Sequence, residues 1–198
     1  KTLTREKLNF KAVSSKLIEN NLALVKIDSF IPENTSKIFK DEILKLMSAS
    51  GIILDLRNNS GGLVKNAVEI ADMFLTNGKI VSTINDRNTV NEFANSSELT
   101  TVPIVILVNE NTASASEILA SALRENNRAI LIGKKTFGKG LVQEIVKLPD
   151  DSALHVTIAA YLTPDGKNIN KIGIVPDEIV QDGEKQIQKA KEIFTAIL

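Results

Sequence analysis

The stretch Gly51-Ile-Ile-Leu-Asp-Leu-Arg-Asn-Asn-Ser-Gly-Gly62 runs from a short apolar segment into a polar, glycine-rich turn. Residues 52–56 have the length and apolar character of a strand buried on both faces. Leu63, Ala67, Ile70, Ala71 and Phe74 then recur at helical spacing, and Asn77-Gly78 closes that helix. Strand, glycine turn and helix make half of a βαβ unit, and the alternation continues on both sides. Upstream, residues 22–28 (LALVKID) read as a strand. Pro32 and Asn34-Thr35 start a helix whose apolar face is Phe39, Ile43, Leu46 and Met47, with Gly51 as its stop.

Downstream, residues 79–84 read as a strand, 86–101 as a polar excursion with a weak hairpin, and 103–108 (PIVILV) as a second buried strand. Ala115, Ile118, Leu119, Ala122 and Leu123 form a helix stripe before a strand at 128–132. Residues 141–148 and 153–161 alternate like antiparallel strands, and 173–176 read as a further short strand. Ile187, Ala190, Phe194 and Ile197 place a helix at the C-terminus. The pattern predicts an α/β domain with a central, largely parallel sheet flanked by helices and antiparallel strands in the C-terminal half. Function in such sheets gathers in loops at the carboxyl ends of strands, here residues 57–62, 109–112 and 134–140.

Composition narrows the chemistry. The chain has 198 residues, 43% hydrophobic and 24% charged, enough to bury one core. Lys+Arg and Asp+Glu are 24 each. That balance argues against nucleic acid or an anionic membrane as the main partner. There are no cysteines and one histidine, His155. Disulfides, thiolate zinc sites and cysteine nucleophiles are excluded, as is a zinc site built from histidines. His155 alternates onto the same strand face as Thr157 and Tyr161, and reads as a half-exposed residue with no motif pointing to it. No apolar run reaches the ~18 residues of a membrane span, and the first residues carry no apolar signal segment.

Three segments carry chemistry. Ser114 falls where a buried strand meets a helix, beside backbone N–H groups that lack intrahelical partners, including that of Ala115. This suits a nucleophile with an oxyanion hole. Ser114-Ala-Ser-Glu117 is equally an S-x-x-E capping box, which needs no catalysis. Gly133-Lys-Lys-Thr-Phe-Gly-Lys139-Gly140 approaches a P-loop, but Gly140 stands where Ser or Thr would hold magnesium, and a strand pattern follows instead of a helix. Glycines flanking Lys139 also let its stem enter a tight pocket, where burial would favour the neutral amine that can act as a base. Gly61 and Gly62 offer a second oxyanion donor, or a plain turn capped by Ser60.

Taken together, residues 53–62, 109–118 and 133–143 resemble the carboxyl-terminal processing, or tail-specific, protease family. Residues 163–167 (TPDGK) and 173–177 (GIVPD) fit the same family, so the resemblance covers about residues 22–179. It implies a ClpP/crotonase-like fold. It also implies a serine endopeptidase that cleaves protein substrates near their C-termini through an acyl-enzyme. On the matching motifs Ser114 is the nucleophile, Lys139 the general base and Gln143 the residue that positions it. The oxyanion donors are the amides of Ala115 and one glycine of the pair, Gly61 before Gly62. No cofactor or metal is implied. The implied partners are proteins or peptides bound by their C-terminal region, not nucleic acid; a PDZ domain is expected in the full-length protein, and a homo-oligomer stays open. The family implies the cell envelope or a periplasm-like compartment.

The chain departs from the family pattern in two places. Asn111 stands where the family has glycine, which the turn should tolerate because asparagine accepts left-handed φ. Residues 1–21 read as an N-terminal segment, the tail of a PDZ domain, and residues 22–198 as the protease core. Two other readings remain: a catalytically weak peptide-binding module on the same fold, and a P-loop-like nucleotide binder through residues 133–139.

Overall fold

Strands β3 (Gly51–Asp55) and β6 (Ile104–Val108) are buried along their whole length, as strands covered by layers on both faces must be. They lie at the centre of a six-stranded sheet in a computed structural model that describes residues 11–95 and 97–197. The other elements are β1 (Val13–Ile18), β2 (Leu22–Ile27), α1 (Thr35–Leu44), α2 (Val64–Asp72), β4 (Lys79–Ile84), β5 (Thr89–Phe93), α3 (Ala115–Glu125), β7 (Ala129–Gly133), β8 (Leu141–Lys147), β9 (Ala153–Leu162), β10 (Glu178–Ile179) and α4 (Gly183–Ile197). The central sheet has the order β1-β2-β3-β6-β7-β10. β1 runs antiparallel to β2, and every other pairing in that sheet is parallel. A second, antiparallel sheet has the order β5-β4-β9-β8.

Period-2 alternation sorts the central strands onto two cores. Leu54 and Ile106 face one layer with Phe39, Ile70 and Leu119 from α1, α2 and α3, and with Phe74 just after α2. Ile53, Val105 and Leu107 face the other, where α4 contributes Ala190 and Phe194. Gly51 is the contact point for that second layer. A Cβ there would come within 2.3 Å of Phe194 Cε1, so the ring packs directly on backbone.

The α/β class, the largely parallel sheet and the antiparallel C-terminal strands are present as expected; the polar excursion contributes one strand, β5, which pairs with β4. Four details differ. α1 ends at Leu44 and Gly51 opens β3, so Gly51 is a strand residue placed for Phe194 and not a helix stop. Residues 13–18, given no element by sequence, form edge strand β1 on β2. VSSKLI lacks a period-2 apolar signal because an edge strand has one unpaired side, and Leu17 is indeed exposed. The short strand expected at 173–176 is absent. Pro176 has no N–H to pair, and Ile174 instead bonds Thr136 in both directions, leaving the strand to Glu178–Ile179. β4 joins the antiparallel sheet. Of the segment 1–21 read as the tail of a preceding domain, residues 1–10 lie outside the described residues, whereas residues 13–18 belong to the central sheet as β1.

Candidate active site

The loops after β3, β6 and β7 meet at the carboxyl edge of the parallel sheet, the position this topology favours for chemistry. Asparagines join the first two. Asn58 N–H donates to Asn109 Oδ1 at 2.9 Å, and Nδ2 of both Asn109 and Asn111 donate to Asn58 Oδ1 at 2.9 Å. Asn111 is therefore a cross-loop donor. Among these asparagines it is Asn58, at φ 60, that adopts the left-handed conformation. Fully buried Asn59 ties the same loops to β2 and α3. Its Nδ2 donates to Ile27 O at 2.7 Å, and its carbonyl accepts from Ala113 N–H and the Ser116 hydroxyl at 3.0 Å each. Arg57 holds Asp55 through two hydrogen bonds of 2.8 and 2.6 Å and reaches Gly183 O on α4. The Asp55 bond, opposed by partial burial, raises the Arg57 pKa above its ordinary value.

Ser114 precedes α3 with φ 57 and ψ −120. An ordinary N-cap residue is extended. For a residue with a Cβ this backbone is strained, at a cost of about 1–3 kcal/mol. The sharp turn is that of a strand-to-helix elbow that lifts a side chain out of the sheet edge. Ser114 is half-buried. Among the described residues the Ala115 N–H has no acceptor, whereas the next amides, of Ser116 and Glu117, bond Ala113 O and Ser114 O. An unpaired donor thus lies next to Ser114.

The Glu117 carboxylate joins the serine turn to the lysine loop. It is fully buried and accepts four hydrogen bonds: Oε1 from Thr136 Oγ1 at 2.5 Å and Gly138 N–H at 2.8 Å, Oε2 from Ser114 N–H and Lys139 N–H at 2.9 Å each. In the sequence Glu117 is only the fourth position of a capping box. Its role, and those of Asn59 and Thr136, depend on partners that are distant in sequence. The Ser114–Glu117 spacing was the one available signal.

Lys139 and Gln143 line a cavity of about 690 Å³ together with Ser60, Ala113, Phe137 and Leu141. Gln143 sits beside a register shift in β8, opposite Thr157. Both Lys139 and Gln143 are exposed, so the tight pocket expected around Lys139 is not formed; the neighbouring Phe137 is itself 64% exposed. The Ser114 and Lys139 backbones share one carboxylate oxygen, but their side chains make no hydrogen bond to each other. Catalytic hydrogen bonds often close only when substrate is bound.

Gly61 lies directly against the serine. A Cβ on it would meet Ser114 Cβ at 2.8 Å and Ala115 N at 2.9 Å, and its φ of +96 also requires glycine. Its N–H, expected as an oxyanion donor, is bonded to Asn59 Oδ1 at 2.9 Å. Gly62 is exposed and its N–H has no such partner. The nucleotide-binding alternative is not supported. The Gly138 and Lys139 amides that would cradle phosphate are bonded to Glu117, and β8 follows where a P-loop opens a helix. His155 is exposed on β9 opposite Ile145, outside the cavity.

Comparison with known proteins gives a consistent result. The model of peptidase family S41 matches residues 21–180. A carboxyl-terminal-processing protease of Picosynechococcus is 43% identical over 183 residues, covering 90% of this chain and 44% of the relative. Carboxyl-terminal-processing peptidase 2, chloroplastic, of Arabidopsis thaliana is 36% identical over 210 residues, covering 100% and 40%. Among solved structures, a photosystem II D1 C-terminal processing protease superposes with a TM-score of 0.80 at 35% identity, covering 90% of this chain and 50% of that one. The chain spans less than half the length of these curated relatives.

Proposed function

Because the chain belongs to peptidase family S41, we propose that it is the catalytic part of a serine endopeptidase that cleaves proteins near their C-termini. The observation that carries this is the strained Ser114 elbow, with an unpaired Ala115 N–H beside it and one carboxylate, Glu117, shared with the Lys139 loop.

In this reading Ser114 Oγ attacks the scissile carbonyl while neutral Lys139 Nζ takes its proton. The C–N bond breaks, the leaving amine receives that proton, and water hydrolyses the resulting ester. Ala115 N–H faces the oxyanion. A glycine amide of the 61–62 pair supplies the second donor; Gly61 would do so while sharing its N–H with Asn59 Oδ1. Gln143, in the same cavity, orients the amine. No step needs a metal or cofactor. Protein substrates follow from the family. A PDZ domain elsewhere in the full-length protein would recruit their C-termini, in a cell envelope or an equivalent lumen. The chloroplastic Arabidopsis relative supports that placement. Among the described residues no helix is long and apolar enough to cross a membrane.

The open Ser114–Lys139 pair favours a second reading, a catalytically weak peptide-binding module. Peptide hydrolysis by the parent chain, Ser114→Ala and Lys139→Arg decides between them. Turnover lost in both variants supports the peptidase, and binding without turnover in all three supports the module.

A further inference from the structure

The cavity that Lys139 lines, whose wall includes Ala113 next to Ser114 but not Ser114 itself, holds a second cation that the dyad does not use. Lys171 lines the same walls as Lys139, and no Asp or Glu does. The nearby Glu117 carboxylate is behind the loop, with both oxygens occupied by four donors. Lys171 is exposed and makes no ion pair among the described residues. Many other lysines do: Lys26, Lys45, Lys134, Lys167, Lys189 and Lys191 all have carboxylate partners.

The backbone fixes where this charge stands. Lys171 is left-handed at φ 61, a conformation costly for a residue with a long side chain. Its N–H donates to Gly138 O at 2.8 Å, next to Lys139. The turn is closed by Ile172 N–H and Gly173 N–H, both donating to Ile169 O at 3.0 and 2.9 Å. It packs so tightly on Gly138 that a Cβ there would meet Gly173 N at 2.7 Å. A working base at Lys139 is uncharged during attack, so Lys171 is then the standing positive charge of these walls.

We propose that Lys171 is a specificity-determining residue that binds a carboxylate of the substrate polypeptide in the cavity it shares with Lys139 and Gln143. This rests on the reading of that cavity as a peptidase site. The carboxylate has two sources, the free C-terminus of the substrate or an acidic side chain near the scissile bond.

The test uses equilibrium binding to the Ser114→Ala chain, so it does not depend on turnover. Three N-terminally labelled octapeptides of one apolar sequence are compared by fluorescence anisotropy: the free acid, the C-terminal amide, and the amide with Asp at the penultimate position. A screened ion pair at an open cavity predicts about fivefold tighter binding of the carboxylate peptide than of the plain amide. A preference for the free acid assigns the terminus, and one for the Asp peptide assigns a side chain. Adding Lys171→Gln, which makes the same backbone demand, should abolish the preference, and Lys171→Arg should keep it. Equal affinity for all three peptides, a preference that survives Lys171→Gln, or no binding of any peptide overturns the proposal. Peptide hydrolysis by the parent chain is scored separately. Turnover with no carboxylate preference defeats Lys171 alone, and preference without turnover defeats only the Ser/Lys chemistry.

Discussion

Replacing Glu117 by glutamine tests whether one buried carboxylate holds the two halves of the site together. Its two oxygens accept four hydrogen bonds, two on each side. Glutamine has one acceptor oxygen and must turn an NH2 group toward one pair. Facing Ser114 and Lys139, that group would oppose two backbone N–H donors. Facing Thr136 and Gly138 it does less harm, because the Thr136 hydroxyl can rotate to accept. Even so, the Gly138 N–H loses its acceptor, and Thr136 loses a charge-assisted bond while still accepting Ile174 N–H at 2.7 Å. One orphaned buried donor costs about 1–3 kcal/mol and the lost bond about 1.5 kcal/mol. The sum, about 3 kcal/mol, lowers Tm by about 6–12 °C in a chain of this size. Glu117→Ala orphans all four donors, at about 4–12 kcal/mol. That rivals the whole stability of an ordinary domain, so this variant should not fold. Thermal unfolding followed by circular dichroism measures the first value, and hydrogen exchange at the Gly138 amide locates it. A Glu117→Gln chain melting within about 1 °C of the parent, with Gly138 still protected, would refute the clamp.

Four further outcomes are expected. Ser114→Gly should abolish turnover yet raise Tm by a few degrees, because glycine relieves about 1 kcal/mol or more of strain at φ 57; unchanged or lower stability by calorimetry would count against the strain. Gly61→Ala should cost more than about 1 kcal/mol in urea unfolding, since the added Cβ meets Ala113 O, Ser114 Cβ and Ala115 N at 2.7–2.9 Å, none of them the free end of a flexible side chain. His155→Gln should leave hydrolysis within a few-fold of the parent, because the ring is exposed outside the cavity; a loss of about a thousandfold would instead assign His155 as the base of a Ser-His mechanism. Glu42 is held below its ordinary pKa of 4.5 by hydrogen bonds from Lys45 and then Ser15. Its stabilisation is full above that value and lost as pH falls through the lowered folded one. Glu42→Gln should therefore flatten the acid limb of a pH-stability curve, and an unchanged acid limb would exclude the contribution.

Long-range apolar periodicity made most of the fold legible. β3 and β6 read as buried runs, and the stripes of α2 and α3 fell on the faces that now pack against them. Elements with weak periodicity were not legible. β1 is an edge strand with two serines and a lysine, and β10 is two residues held in place by the Arg124–Asp177 pair and the Asp177 backbone. The same divide runs through the site. Ser114, Lys139 and Gln143 sit in contiguous motifs, so the chain announces them. Glu117, Asn59 and Thr136 act through partners in other loops, which only the folded chain brings near. The enclosure expected of Lys139 did not appear because glycine permits a tight loop without supplying walls, and Phe137 points largely into solvent.

Covalent labelling reads the nucleophile and its base directly. The full chain is incubated with a peptidyl phosphonate and analysed by intact-protein mass spectrometry, with peptide mapping of the adduct. A single adduct on Ser114 is expected, absent from Ser114→Ala and strongly slowed in Lys139→Arg, because arginine keeps the charge but cannot give up its proton. Peptide cleavage by a chain whose adduct maps to another residue, or labelling of Ser114 at full rate in Lys139→Arg, would contradict it.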